Sequence, residues 1–220
     1  MKVKLCGQTR ADDIRFSLDS GADLCGVVVE VPSSPRSLNF NSAKPLFAEF
    51  HEKLAALTAD APLEFLQKIL AELKPSAIQL TADETPETIR QIRESTDAAI
   101  MKSLHLPIDG EGSTKNAETF LTMMEKYTEA GVSAFVLDTR VPKMYGGSGV
   151  KSDWNLVSRI LEKTKAETFL AGGINPQNVL EAAALNPHGI DLASGIEENP
   201  GIKSRDKIRA LFTALKRVKT

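Results

Sequence analysis

Short apolar segments alternate with amphipathic segments along the whole chain, and this alternation is the feature that most limits its fold. The apolar segments are four to seven residues long, as expected of strands that are buried on both faces. The predicted strands are residues 2–6, 24–29, 53–58, 77–80, 98–104, 134–138, 167–171 and 189–193. A helical segment follows each strand, which favours βα units and a parallel sheet over separate blocks of strands and helices.

The helical segments carry recognisable start and stop signals. Thr85 before Pro86 combines an N-cap hydroxyl with proline at the first helical position, and Asn175 before Pro176 repeats the pattern. Gly21 directly precedes a predicted strand, where a left-handed C-cap lets the chain turn back toward the sheet. These signals predict several short helices, each packed against the strand before it.

The number and order of these units select one architecture. Eight βα units in 220 residues, beginning with a strand and ending with a helix, predict a single (β/α)8 TIM barrel of the α/β class that spans residues 1–220 as one domain. The main alternative is a doubly wound sheet, which commonly carries a G-x-G-x-x-G motif after its first strand. Residues 6–10 read CGQTR and lack that motif, so the barrel is favoured.

Composition excludes several classes of function. The 27 basic and 29 acidic residues give a net charge of −2, which offers no general footprint for nucleic acid or for an anionic membrane. No segment approaches the ~18 consecutive apolar residues of a membrane span, and the N-terminal residues lack the apolar core of a signal peptide. Two cysteines are too few for a disulfide scaffold. We therefore expect a cytoplasmic protein with no nucleic-acid or membrane partner.

Polar residues at the ends of the predicted strands are the first candidates for a functional site, because barrel enzymes use the loops that follow their strands. Cys6 and Asp138 end the first and sixth strands, and Asp191 lies in the eighth. The fourth and fifth strands are followed by two further polar candidates, Thr81 and His105. Arg36 follows the second strand, where its guanidinium group suits a carboxylate ligand. Structural alternatives stay open at this stage. They are an inert buried thiol, a helix N-cap, a hydrogen bond that holds a loop, and a surface arginine.

Two glycine-containing segments after the last two strands indicate an anion site. Gly172 and Gly173 follow the seventh strand, and Ser194 and Gly195 follow the eighth. Amide groups that approach closely at these positions in a barrel often bind phosphate. The alternative is that these glycines only allow the chain to turn tightly. Because glycine segments occur in two adjacent units, phosphate binding is favoured.

The three histidines do not predict a metal site. His51, His105 and His188 show neither H-x-H nor H-E-x-x-H spacing. We therefore expect no metal.

Short motifs also occur in a characteristic order over almost the whole chain. They are KLCGQTR at 4–10, GAD at 21–23, SPR at 34–36, QL at 79–80, LD at 137–138, GGSG at 146–149, DW at 153–154, LAGGINPQNV at 170–179, DLASGIE at 191–197 and GIK at 201–203. Each motif is weak alone, but together and in this order they are specific. The chain resembles the phosphoribosylanthranilate isomerase family of tryptophan biosynthesis.

The resemblance implies a reaction and two catalytic residues. The reaction is the Amadori rearrangement of N-(5-phosphoribosyl)anthranilate, which needs no cofactor. Cys6 would be the general base that removes the C2′ proton, and Asp138 the general acid that protonates the ring oxygen. A thiolate base needs a lowered pKa or a nearby positive charge, which we expect from Arg10 or Arg36.

The resemblance also implies the ligand contacts. Arg36 would bind the anthranilate carboxylate, and Gly172, Gly173, Ser194 and Gly195 would bind the phosphate. Asp191, Gly147 and Gly149 are further candidate substrate-binding residues, the two glycines in a loop that folds over the substrate. The partner is then a phosphorylated small molecule, and the protein a monomer or homodimer.

The chain departs from the family pattern in a plainer third strand, at Gln8 and, most clearly, at Thr81-Ala82. Thr81-Ala82 stands where the family has His-Gly, so an imidazole of the active site is expected to be missing. The departure keeps two alternatives open: another sugar-phosphate isomerase or epimerase on the same barrel, and a binding protein that has lost turnover.

Overall fold

Eight parallel strands, each followed by a helix, form the framework of the part of the chain that the structure describes, and three short strands, Ser37–Leu38, Glu197–Asn199 and Ile202–Lys203, lie in its loops. The computed structural model describes residues 1–107, 116–139 and 153–216. The strands are β1 Lys2–Leu5, β2 Leu24–Val29, β3 Leu54–Thr58, β4 Ala77–Leu80, β5 Ala99–Leu106, β6 Ala134–Thr139, β7 Glu167–Leu170 and β8 Gly189–Leu192. The helices are α1 Ala11–Ser20, α2 Phe40–Phe50, α3 Leu63–Leu73, α4 Pro86–Arg93, α5 Ala117–Glu129, α6 Trp154–Leu161, α7 Val179–Ala184 and α8 Arg205–Lys216.

The strands close into a barrel. Each strand is hydrogen-bonded in parallel to the next one in the chain, and β1 pairs with both β2 and β8. The closing register places Lys4 beside Asp191. Because all eight strands run in one direction, their carboxyl ends meet at one face of the barrel.

All eight predicted strands are confirmed, with boundaries that differ by at most two residues. The prediction for Asn175-Pro176 is wrong in one respect, because α7 begins three residues later, at Val179. The Asn175 side chain instead accepts a hydrogen bond from the Gln177 amide at 2.9 Å in a turn before the helix. The predicted features at Thr85 and Gly21 are confirmed as an N-cap and a left-handed C-cap. The assignment of residues 1–220 to one domain stays a prediction.

The apolar side chains form two layers. The larger layer lies between the outer faces of the strands and the helices. The smaller one fills the barrel interior and includes Leu57, Met101, Val136 and Phe169. Alternate residues of each strand therefore face inward, and the last inward-facing residue of each strand reaches the carboxyl-end face.

In the described ranges, no helix is both long enough and apolar enough to cross a membrane.

Candidate active site

A cleft opens at the carboxyl ends of the strands. Most of the candidate residues named from the sequence line this one cleft: Cys6, Arg36, Asp138, Gly172, Gly173, Asp191 and Ser194. Gly195 is the next residue along from Ser194. Gly147 and Gly149 lie outside the described residues.

Cys6 follows the last residue of β1 and points into the barrel. Its side chain is 8% exposed, and its amide donates to the Leu192 carbonyl at 2.7 Å, which extends the β1–β8 ladder by one bond. The neighbouring strand leaves room for the sulfur, since a Cβ on Gly26 would lie 2.9 Å from the Cys6 Sγ. Glycine is therefore needed at position 26 to keep this thiol in place.

The charges beside the thiol come from lysines. Burial raises the pKa of Cys6 above its ordinary value, while the charges of Lys4 and Lys203 act in the opposite direction. The expectation that Arg10 or Arg36 would supply this field is wrong. Arg10 is exposed, at the start of α1, and the charge of Arg36 is directed to a carboxylate of its own.

Asp138 lies near the end of β6 and is partly buried at the wall of the cleft. Loss of hydration raises its pKa to about 6, and the negative charge of Asp191 acts in the same direction. One carboxyl oxygen accepts a hydrogen bond from the Thr139 amide at 2.8 Å. A carboxyl group with this pKa can donate a proton near neutral pH, as a general acid must.

Asp191 is held from below by a buried lysine. Its Oδ2 accepts from the Lys4 ammonium at 2.8 Å, and both side chains are almost inaccessible to solvent. Its Oδ1 is buried and has no hydrogen-bond partner among the described residues. Because Asp191 lines the cleft and its Oδ1 receives no hydrogen bond from the described residues, we expect a ligand to supply the donor.

Arg36 is fixed in place by Glu197. Its Nε and Nη2 donate to the Glu197 carboxylate, the shortest distance being 2.7 Å, and Lys203 donates to the same carboxylate at 2.8 Å. A short antiparallel ladder places Glu197 opposite Lys203. Despite its burial, the pKa of Glu197 is lowered by the hydrogen bonds from Arg36 and Lys203. The cluster has two positive charges and one negative, so a net positive charge remains for an anion in the cleft.

The arginine also depends on a glycine at the end of β1. A Cβ on Gly7 would lie 2.4 Å from the Arg36 Cδ, and Gly7 has a φ of +74°. Both the space and the backbone conformation therefore require glycine. This explains the glycine that directly follows Cys6.

The two predicted phosphate segments come close to the main chain of their neighbours. Gly172 and Gly173 have positive φ values of 85° and 65°. A Cβ on Gly195 would lie 2.0 Å from the Ile174 carbonyl oxygen, so the loops after β7 and β8 are in direct backbone contact. Such close packing of glycine segments is typical of loops whose amides bind an anion.

The loop after β7 is secured from its outer side. The Asn178 side chain donates to the Gly173 carbonyl at 3.0 Å, and its oxygen accepts from the Asn175 amide at 2.8 Å. This arrangement fixes the Gly173 peptide before any ligand binds. A preformed anion site loses less entropy when it binds a phosphate.

A polar strip on β4 and β5 lines the same cleft. Its outer members, Thr81 and His105, were candidates from their position after the strands, whereas Gln79 and Ser103 within the strands were missed. Gln79 donates to the Ser103 hydroxyl at 3.1 Å, and His105 lines the cleft two residues further along β5. The His105 Nε2 is hydrogen-bonded to the Thr81 carbonyl at 2.7 Å. An imidazole is therefore present in the cleft. It belongs to His105 on β5, and not to the segment after β4 where the family has its histidine. The signal was the alternate spacing of residues 79, 81, 103 and 105, which places them on the inward faces.

Among the described residues, no group of three or more histidine, cysteine or acidic side chains is arranged to hold a metal ion.

The raised pKa of Asp138 predicts a cost in stability. The folded carboxyl titrates at about 6 and the unfolded one near 3.8. As pH rises through this interval, the unfolded chain releases the proton first, so stability falls. Asp138→Asn is expected to stabilise the protein at pH 7.5 by on the order of 1 kcal/mol. Thermal melts at pH 7.5 and pH 4 test this.

The difference should shrink at pH 4, where Asp138 is protonated in the folded state. Asp97→Asn, at an exposed position, is the matched control and should show no such pattern. An Asp138→Asn gain that is the same at both pH values would contradict the shifted titration.

Comparison with known proteins agrees with the geometry. The family described as N-(5'-phosphoribosyl)anthranilate (PRA) isomerase matches residues 3–214. An N-(5'-phosphoribosyl)anthranilate isomerase from Afipia carboxidovorans is 35% identical over 96% of this chain and 88% of its own length.

Solved structures give the same result. The phosphoribosyl anthranilate isomerase of Thermus thermophilus has a TM-score of 0.82 and 30% identity, over 99% of this chain and 100% of its own. A second such isomerase, in complex with reduced 1-(o-carboxyphenylamino)-1-deoxyribulose 5-phosphate, has a TM-score of 0.77 and 26% identity, over 99% of each chain. The chain belongs to the N-(5'-phosphoribosyl)anthranilate isomerase family.

Proposed function

We propose that this protein converts N-(5-phosphoribosyl)anthranilate to 1-(2-carboxyphenylamino)-1-deoxyribulose 5-phosphate, a step of tryptophan biosynthesis. The observation that carries the proposal is the order of groups around one cleft. Asp138 on β6, the glycine loops after β7 and β8, Cys6 on β1 and Arg36 after β2 occupy five consecutive strands of the closed barrel. An acid and a base therefore lie on the two sides of an anion site, and a cation follows the base.

The substrate has two anionic ends, and the cleft offers a site for each. The amides of the Gly172-Gly173 and Ser194-Gly195 segments would bind the phosphate. Arg36 would bind the anthranilate carboxylate through the guanidinium edge that Glu197 leaves unused. Val28 and Leu57 line the cleft on the side of β2 and β3 and suit the aromatic ring. The ribose would then lie between Cys6 and Asp138.

The chemistry begins with ring opening. Protonated Asp138 donates to the ring oxygen, the bond from C1′ to that oxygen breaks, and the nitrogen lone pair forms a C1′=N double bond. The Cys6 thiolate then removes the C2′ proton. The electrons of the C2′–H bond form a C1′=C2′ double bond and neutralise the iminium nitrogen, which gives an enolamine. The C2′ hydroxyl then loses its proton while C1′ gains one, which yields the aminoketose with no net change in protons.

This sequence uses only the side chains of the cleft. The positive charge on nitrogen is the electron sink, so the proposed reaction requires neither a metal nor a cofactor. The phosphorylated small molecule is the proposed partner. A cytoplasmic location and a monomeric or homodimeric state stay predictions.

Loss of either catalytic group is expected to lower turnover severely and leave a small residual activity. Cys6→Ala and Asp138→Asn should each lower kcat by ~10²–10⁴-fold, because each removes one proton transfer. A fluorescence assay that follows the loss of freshly prepared phosphoribosylanthranilate measures this. Cys25→Ala is the matched control, since that thiol is buried against the outer layer of the core.

The outcome distinguishes catalysis from packing. If Cys6→Ala lowers thermal stability and leaves kcat near the parent value, Cys6 is only a core residue and its assignment as base is wrong. If the parent protein itself does not turn over the substrate, the proposed function is wrong.

The pH dependence follows from the two titrations. The active form carries a proton on Asp138 and none on Cys6, so the pair holds one proton in total. Because Asp138 titrates at about 6 and burial raises the pKa of Cys6 above its ordinary value, kcat/KM should rise through about pH 6 and fall only above pH 9. A maximum below pH 6 would contradict the assignment.

The pH dependence of kcat/KM in the residual activity of Asp138→Asn is the control. The substrate phosphate also titrates near pH 6. A rise in kcat/KM through pH 6 that persists unchanged in Asp138→Asn would belong to the phosphate and would overturn the role of Asp138.

Arg36 is expected to act mainly on binding. Arg36→Ala should raise KM by about 10-fold or more, since a charge-assisted pair with the carboxylate contributes ~1.5–3 kcal/mol. Arg36→Lys should recover only part of this loss, because an ammonium group cannot reproduce the planar geometry. Steady-state kinetics compares both with Arg15→Ala, an exposed arginine on α1. A KM that is unchanged in Arg36→Ala would contradict the assignment.

A further inference from the structure

Lys4 is a charged side chain buried in the barrel interior, and the proposed reaction does not use it directly. It is 0% exposed, lies on β1 two residues before Cys6, and shares the inward face with that thiol. A buried ammonium group is costly unless it is paired, and Lys4 is paired with Asp191 at 2.8 Å. Both its neighbours, Cys6 and Asp191, line the cleft.

The lysine is not required to fill space, since an apolar side chain of similar length could do so at lower cost. Its charge is the property that an apolar residue lacks. That charge lies beside the one thiol that reaches the cleft in the described part of the chain. A functional rather than a packing role is therefore indicated.

The charged groups that face Cys6 come from three directions. Lys4 lies below it on β1, Asp191 beside it on β8, and Lys203 above it on the short ladder with Glu197. Asp138 lies across the cleft on β6, and Arg36 is already compensated by Glu197. Lys203 donates to the Cys6 carbonyl oxygen and to the Glu197 carboxylate. Lys4 is thus a fully buried cation that is paired with Asp191 and faces the thiol, and its charge also opposes the rise in the pKa of Asp138.

We propose that Lys4 is a positioning residue whose ammonium group stabilises the Cys6 thiolate and orients Asp191, so that the base is formed inside a dry barrel. The proposal deepens the proposed function, on which it rests. Lys4 counteracts the effect of burial on the pKa of Cys6. Removing its charge should therefore move thiolate formation to higher pH.

Alkylation of Cys6 tests the proposal without any need for turnover. The folded protein is treated with iodoacetamide over a range of pH, and the modified peptides are quantified by mass spectrometry after trypsin digestion. The digest places Cys6 and Cys25 in different peptides, which are residues 5–10 and 16–36 in the parent, so the two thiols are measured separately. A variant without the cleavage site at position 4 gives residues 3–10 as its Cys6 peptide. Only the thiolate reacts, so the rate reports its population.

Lys4→Met is expected to raise the midpoint of Cys6 alkylation by about one pH unit or more, which is a loss of ~10-fold or more in rate at neutral pH. Lys4→Arg keeps the charge and should recover part of the rate. Lys2→Met is the matched control, because Lys2 lies on the same strand with its side chain 57% exposed and paired with Glu167. Its midpoint should equal that of the parent.

Asp191→Asn gives the opposite prediction and keeps the proposal testable if Lys4→Met does not fold. The negative charge of Asp191 disfavours the thiolate. When Asp191→Asn removes that charge and a charged Lys4 stays beside Cys6, the alkylation midpoint should fall. An unchanged midpoint in Lys4→Met, or an unchanged or raised midpoint in Asp191→Asn, would overturn the role of Lys4. Failure of the parent protein to isomerise its substrate would instead overturn the proposed function and leave the alkylation result intact.

Discussion

The pairing of β1 with β8 is the contact on which the site depends. It closes the sheet, and its register brings Lys4 beside Asp191 and extends to the amide of Cys6, which donates to the Leu192 carbonyl. A shift of one residue would turn Lys4 and Cys6 toward the apolar layer under the helices. Closure of the barrel therefore fixes the geometry of the site before any ligand binds.

The same closure explains how so many charges are buried at one end of the barrel. Lys4 and Asp191 neutralise each other beneath the cleft, while Arg36 and Lys203 share one carboxylate, that of Glu197, at its rim. The excess of positive charge is thus confined to the side where the substrate carboxylate is proposed to bind. A dry, preorganised arrangement of this kind makes each interaction stronger than it would be in water.

Much of this could be predicted from the sequence. The spacing of the apolar segments predicts all eight strands. The rule that the loops after barrel strands carry function selects Cys6, Asp138 and the glycine segments. The partners of these residues could not be predicted. Lys4 and Asp191 are 187 residues apart, and Arg36 and Glu197 are 161 apart, so their contacts depend on barrel closure and on a short ladder that has no periodic signal. The place of His105 after a strand made it a candidate, but its hydrogen bond to the Thr81 carbonyl could not be predicted, because it depends on the pairing of β4 with β5.

The central claim is that one cleft holds the two anionic ends of the substrate and places the sugar between Cys6 and Asp138. A crystal structure with the reduced product analogue, 1-(o-carboxyphenylamino)-1-deoxyribulose 5-phosphate in its reduced form, tests this directly. The account predicts the phosphate at the amides of the Gly172-Gly173 and Ser194-Gly195 segments, the aromatic carboxylate at Arg36, and the C2′ atom within reach of the Cys6 sulfur. An analogue bound in the reverse orientation, or with C2′ remote from Cys6, would contradict it.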